Sequence, residues 1–263
     1  MKNLIFGRAA IALLFVLMTL PGHSAEQAKK KLQIFILAGQ SNMVGHANPH
    51  TIATLYQSED ANDKRLLQMV FKNGNGITKD ALNEQLARAK KIDQLTGGIS
   101  NEKIKAMSEG PEKKALEARV KKLKEEYEAF KKKILSAYVV SDQVYIASIA
   151  DGNKGAGPLT IGYGGSRDKI GPELSFGLSM AQKMDAPILI IKTSWGGKSL
   201  NYNFRPPSAG PYTLNEKEKA AKNAADISKN ASLNWRMMNE AVHNVLKDLK
   251  KHHPKYDAKV GHE

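Results

Sequence analysis

Two short segments hold residues whose types and spacing suit chemistry. In Gly39-Gln40-Ser41-Asn42-Met43 a serine stands at a glycine turn, directly after the apolar run Leu32–Ala38. A serine at the carboxyl end of a buried strand exposes its hydroxyl, and the helix that follows points N–H groups at a developing oxyanion. That is the placement of an acyl-transfer nucleophile. The segment is not the Gly-x-Ser-x-Gly elbow, because position 43 is Met. The same placement also suits a helix N-cap, the commoner use of such a serine. The second segment, Ser194-Trp195-Gly196-Gly197-Lys198-Ser199, follows the apolar run Pro187–Lys192. Gly-Lys-Ser invites a phosphate-loop reading, but that motif needs a glycine five positions before Gly197, where this chain has Lys192. What remains is a glycine pair after a strand, able to offer a backbone N–H to an anionic oxygen or to make an ordinary tight turn.

A serine nucleophile needs a base to take its proton. The chain has seven histidines and no cysteine. No histidine follows an aspartate by three positions. His46 and His50 come soon after Ser41, whereas His243, His252, His253 and His262 are late. Asp248 and His252 are four apart on the last helix, and Asp257 and His262 are five apart beyond it. Each histidine reads as a solvated surface residue. The absence of cysteine excludes disulfides, thiolate metal sites and a cysteine nucleophile.

The elements that must position these residues are legible as apolar runs. Leu32–Ala38, Val144–Ile149 and Pro187–Lys192 read as buried strands. Helical stretches separate them, which predicts an α/β sheet with parallel strands. Asp151–Gly171 is dense in glycine and reads as loop passing close to a ligand or folding over a sheet edge. Gly171-Pro172-Glu173 opens a helix that carries Leu174, Phe176, Leu178 and Met180. A last helix is expected over Leu233–Lys251, with Trp235, Met238, Val242, Val245 and Leu249 on one face.

Between the first two strands lies a charged insertion, about 64–135. Leu116, Val120, Leu123, Tyr127, Phe130 and Ile134 recur at alternating spacings of four and three, with Lys and Glu outside them. Leu82, Leu86 and Ala89 begin a matching stripe, and breakers at Thr96–Gly98 and Gly110–Pro111 separate the two. This predicts an antiparallel helical hairpin that packs only on itself, or else an arm that binds a partner or gates substrate.

Met1–Ala25 has the layout of a secretory signal peptide: Lys2 and Arg8, the apolar run Ala9–Leu20, a Pro21-Gly22 break, then small residues. No other stretch is apolar enough to span a bilayer. Lys plus Arg number 40 against 26 Asp plus Glu, a formal charge of +14. For an exported chain that charge suits anionic glycans or envelope surfaces better than nucleic acid, and a lysine-rich solvated surface accounts for it as well.

Taken together and in order, Ile34–Met43 (IFILAGQSNM), Gly171-Pro172-Glu173 and Thr193–Leu200 (TSWGGKSL) resemble the sialate O-acetylesterase-like domain of the SGNH hydrolase superfamily, which includes acetylxylan esterases. The resemblance spans residues 31–263, with the helical region as an insertion. It implies a three-layer α/β/α parallel sheet and an exported esterase that removes O-acetyl groups from glycans, with no metal or organic cofactor. It implies Ser41 as nucleophile. The oxyanion donors are the N–H groups of Ser41 and of Gly196 or Gly197, with Gln40 and Asn42 beside the substrate. It leaves the sugar and the oligomeric state open. The family's third block and its terminal Asp-x-x-His are not in this sequence. The expectation is therefore an incomplete sheet and the N-terminal part of a longer esterase. The alternative is a glycan-binding remnant that kept the pocket and lost the base.

Overall fold

The computed structural model describes residues 29–72, 78–96, 104–151 and 154–263. The leader Met1–Ala25, the breaker at Gly97-Gly98 and Gly152 lie outside the described residues. In chain order the elements are β1 (Gln33–Gly39), α1 (Ser41–Val44), a 3₁₀ helix (Pro49–Gln57), α2 (Ala61–Val70), α3 (Lys79–Thr96), α4 (Pro111–Ser136), β2 (Val144–Ser148), β3 (Gly155–Pro158), α5 (Pro172–Lys183) and β4 (Ile188–Ser194). Four further helices follow: α6 (Glu216–Ala220), α7 (Ala224–Asn230), α8 (Leu233–Leu246) and α9 (Leu249–His252).

The fold is α/β, built on a mixed four-stranded sheet in the order β1-β4-β2-β3. β4 runs parallel to both β1 and β2, and β3 returns antiparallel to β2. The three expected strands are all present. All seven residues of β4 are buried, which is why that strand reads as an unbroken Ile/Leu run. β3 was not expected, because glycine is poor strand material, but Gly155-Ala156-Gly157-Pro158 needs only to pair along one edge.

Side chains alternate between two apolar layers. Val144, Ile146, Ile188 and Ile190 face Leu174 and Leu178 of α5. Ala147, Leu189 and Ile191 face Val245 and Leu249 of α8 and α9. Helices therefore cover both sheet faces. The expected helix over Leu233–Lys251 breaks before Leu249, where the Asp248 carboxylate accepts the Lys251 N–H and caps a new turn. Among the described residues no helix is long and apolar enough to cross a membrane.

The helical hairpin forms along the expected seam, with Val120 and Ile134 buried and Leu116, Leu123, Tyr127 and Phe130 half-buried. It does not pack only on itself. Leu82 and Ile134 at its base join the main core with Val70, Phe71, Tyr138, Val144 and Ile188. The Lys72 N–H bonds the Ala137 carbonyl at 2.9 Å and the Val139 N–H bonds the Val70 carbonyl at 2.9 Å, so its two ends are stitched together at the sheet. The stripe of Leu82 continues from the arm into the body, which a seam counted along one helix cannot reveal.

Candidate active site

The strand register brings the two chemical segments together. Gly39 at the end of β1 pairs with Ser194 at the end of β4. The Trp195 N–H then bonds the Gly39 carbonyl at 3.1 Å. Ser41 and Gly196 each lie two residues past that pair, just beyond adjacent strands at the same carboxyl edge.

Ser41 is the first residue of α1, and Gln40 holds the N-cap position without a side-chain cap bond. Ser41 therefore does not cap the helix. Its side chain is half-buried, and its hydroxyl has no hydrogen-bond partner among the described residues. The turn is tight. A Cβ on Gly39 would lie 2.8 Å from Met43 Cβ, so glycine is required for the chain to fold back so soon after the strand. The Val44 N–H bonds the Gln40 carbonyl at 2.9 Å and the Gly45 N–H bonds the Ser41 carbonyl at 3.1 Å, closing one helical turn. Gln40 and Asn42 are exposed and make no side-chain hydrogen bond among the described residues.

Gly196 and Gly197 differ. The Gly196 N–H donates to Asp151 Oδ2 at 3.0 Å. Gly197 is exposed, with φ +66, a conformation that favours glycine. Asp151 stands just beyond β2, its own N–H bonded to the Ser194 carbonyl at 2.8 Å. Ser148 Oγ, Thr193 Oγ1 and Ser194 Oγ, at the ends of β2 and β4, are buried and find no partner among the described residues.

Lys192 and Glu173 form a buried ion pair at 2.7 Å, with their side chains 0% and 1% exposed. Lys192 Nζ also donates to the Val44 carbonyl at 2.9 Å and the Tyr163 carbonyl at 2.6 Å. Burial pulls the ammonium below the ordinary lysine value, and the Glu173 carboxylate opposes that pull. The glycine-rich segment folds against the same turn. Gly165 N–H bonds the Gly45 carbonyl at 2.7 Å, and Ala47 and Ile170 exchange backbone bonds at 3.2 and 3.0 Å.

The histidines are dispersed. His46 is exposed beside Gly165, on the site's side of the sheet. His50 is half-buried in the 3₁₀ helix; burial, then Lys169 and Lys90, lower its pKa. His253 is not a surface residue, because it is fully buried. Its Nε2 meets the Gln143 carbonyl at 3.1 Å and its Nδ1 accepts the Lys255 N–H at 3.1 Å. His252 is half-buried, with its Nδ1 enclosed and without a partner among the described residues. His262 bridges to Leu32 at the start of β1. His253 and His262 thus lie at the amino edge, the opposite end of the strands from Ser41. A strand of seven residues spans roughly 20 Å, beyond any hydrogen bond.

Asp151, Lys192 and Glu173 are the residues that motif reading passed over. Lys192 did leave a signal. A lysine ending the apolar run Pro187–Lys192 must be buried with its strand, and a buried ammonium needs a carboxylate partner. Asp151 left none, because only the fold brings it to Gly196. No family model, curated protein or solved structure matches the chain.

Proposed function

We propose that this chain is an exported serine esterase that removes O-acetyl groups from glycans, with the three-layer architecture of SGNH hydrolases. The observation that carries the reading is the Gly196 N–H. It lies beside the Ser41 strand end and already holds an anionic oxygen, Asp151 Oδ2, at 3.0 Å. An amide that binds a carboxylate oxygen there can bind the oxyanion of a tetrahedral intermediate. Ser41 Oγ, free of any capping bond, attacks the acetyl carbonyl. The first-turn N–H of Ser41 and the N–H of Gly196 or Gly197 take the developing charge. The ester C–O bond breaks and the alcohol leaves carrying the serine proton as an acyl-serine forms; water then adds to the acyl carbon, returns a proton to Ser41 Oγ and releases acetate. Asp151 must give up the Gly196 N–H when the carbonyl enters. Gln40 and Asn42, exposed at the rim, are placed to meet the sugar.

A second reading is a glycan-binding remnant, favoured by the lack of any histidine bonded to Ser41 among the described residues. Hydrolysis of a chromogenic acetyl ester by the purified chain and by Ser41→Ala separates the two. Activity lost on substitution supports the esterase. Inactivity of both proteins, with binding of acetylated glycan retained, supports the remnant and sinks the esterase.

A further inference from the structure

The three segments singled out in the sequence meet at one buried side chain. Lys192 is two residues before the Ser194 that pairs with Gly39. Its ammonium has three N–H donors, and each acceptor comes from a different segment. These are the Val44 carbonyl at the end of the Ser41 turn, the Tyr163 carbonyl in the glycine-rich loop, and Glu173 Oε2 in the first turn of α5. The other Glu173 oxygen accepts the Gly171 N–H at 3.0 Å. A one-turn helix leaves its last carbonyls without intrahelical donors. Val44 is buried, so its carbonyl must find a donor inside the protein.

We propose that Lys192 and Glu173 are a positioning pair for Ser41, fixing the direction of its turn through the Val44 carbonyl without touching substrate. The inference rests on the reading of Ser41 as nucleophile. A base role does not fit, because all three N–H groups of the ammonium are already engaged and it has no lone pair. Stability alone is a poor account, since a buried ion pair is often matched or bettered by apolar packing. An apolar pair, however, cannot hold two carbonyls and a helix start in one place. Reacting groups displaced by about 1 Å lose on the order of 100-fold in rate, so a turn so short needs such a lock.

The test is a double variant, Lys192→Met with Glu173→Gln, which removes both charges at similar volume. Two readouts are taken on the full chain: amide exchange, and kinetics on a chromogenic acetyl ester. Exchange at Val44 and Gly45 is expected to quicken, while amides of β2 and β4 hold. The kcat is expected to fall by roughly 10- to 100-fold with KM little changed. Unchanged exchange at Val44 and Gly45, or quickening spread equally over β2 and β4, overturns the proposal. So does an unchanged kcat. Should the double variant not fold, Glu173→Gln alone carries the same measurements with the same expected directions. If the parent chain hydrolyses nothing, the esterase reading has failed, and amide exchange still decides whether the pair holds the turn.

Discussion

A methyl group on Gly45 would lie 2.7 Å from the Gly171 nitrogen and 2.8 Å from the Ile170 carbonyl, and Gly45 itself sits at φ +85. Both backbones are tied down, so neither can move aside, and Gly45→Ala is expected to cost about 3 kcal/mol or more in chemical denaturation. Gly196→Ala is the contrast. Its nearest new contact is Asp151 Oδ2 at 3.9 Å, so it is expected to change stability by less than about 0.5 kcal/mol. Equal costs at the two positions would show that the Gly45–Gly171 contact is absent in solution. Asp151 gives a second prediction at this scale. Its carboxylate occupies an N–H that a substrate carbonyl must take, and an ionised acceptor holds an amide more firmly than a neutral one. Asp151→Asn is therefore expected to lower KM for an acetyl ester, while a raised KM would mean that Asp151 grips the substrate. Ser41 and the glycine pair were legible as residues, because a turn after a strand is written locally. That Gly196 is the one whose N–H meets Asp151 was not, because that contact depends on Asp151 arriving from another strand.

At the level of elements, periodicity predicted what lies within one helix and missed what lies between elements. The α4 seam is correct residue by residue, yet Leu82 and Ile134 pass beyond it into the sheet core. The arm therefore has two parts with different consequences. At its middle, Arg88 stacks on the Phe130 ring at 4.8 Å. Beyond that point Lys91 and Gln94 of α3 and Leu123 and Glu126 of α4 line one surface cavity. Excising residues 92–122 and closing the gap with a short glycine linker is expected to leave a cooperative unfolding transition. Excising 79–135 removes Leu82 and Ile134 and uncovers Phe71 and Tyr138, buried side chains that cost several kcal/mol each to lose. Calorimetry distinguishes the two: if the longer deletion also melts cooperatively near the parent temperature, the arm is not part of the core. Lys131 adds a tether, bonding Asp168 at 2.9 Å and so joining α4 to the glycine-rich loop. Burial raises the Asp168 carboxyl, but the Ser166 hydroxyl and Lys131 outweigh it and hold it below the ordinary value of 3.8. That tether is intact above this value and is lost only as pH falls through the lowered one.

Over the whole molecule the two edges of the sheet serve different ends. The carboxyl edge gathers Ser41, Gly196, Asp151 and the Lys192–Glu173 pair. The amino edge is closed by the last residues of the chain, with the Ile34 N–H on the Glu263 carbonyl at 2.8 Å and Lys29 on Asp257 at 2.9 Å. His253 and His262 belong to this closure, which explains why spacing to an aspartate could not classify them. A local count carries no information on which end of a sheet a segment reaches. His253 is the clearest case, with its ring against Tyr145 at 4.6 Å. Burial lowers its pKa below the ordinary 6.5; the Gln143 carbonyl opposes the shift, and Lys255 and Lys250 add to it. Its Nδ1 is also an acceptor, so protonation breaks the bond from the Lys255 N–H. The folded state thus favours neutral imidazole, and the unfolded chain binds more protons. Stability is full above about pH 6.5 and declines as pH falls below it toward the lowered value, by at most about 1.4 kcal/mol per pH unit for one group. His50 and His252, also lowered first by burial, act in the same direction. Urea unfolding from pH 7.5 to 5 is therefore expected to show stability falling, with a shallower slope in His253→Gln, whose amide can still donate to Gln143. This window lies above that of Asp168, so the two are read separately. Parent and variant profiles that coincide would place the His253 ring in solvent and detach the closing segment from the amino edge of the sheet.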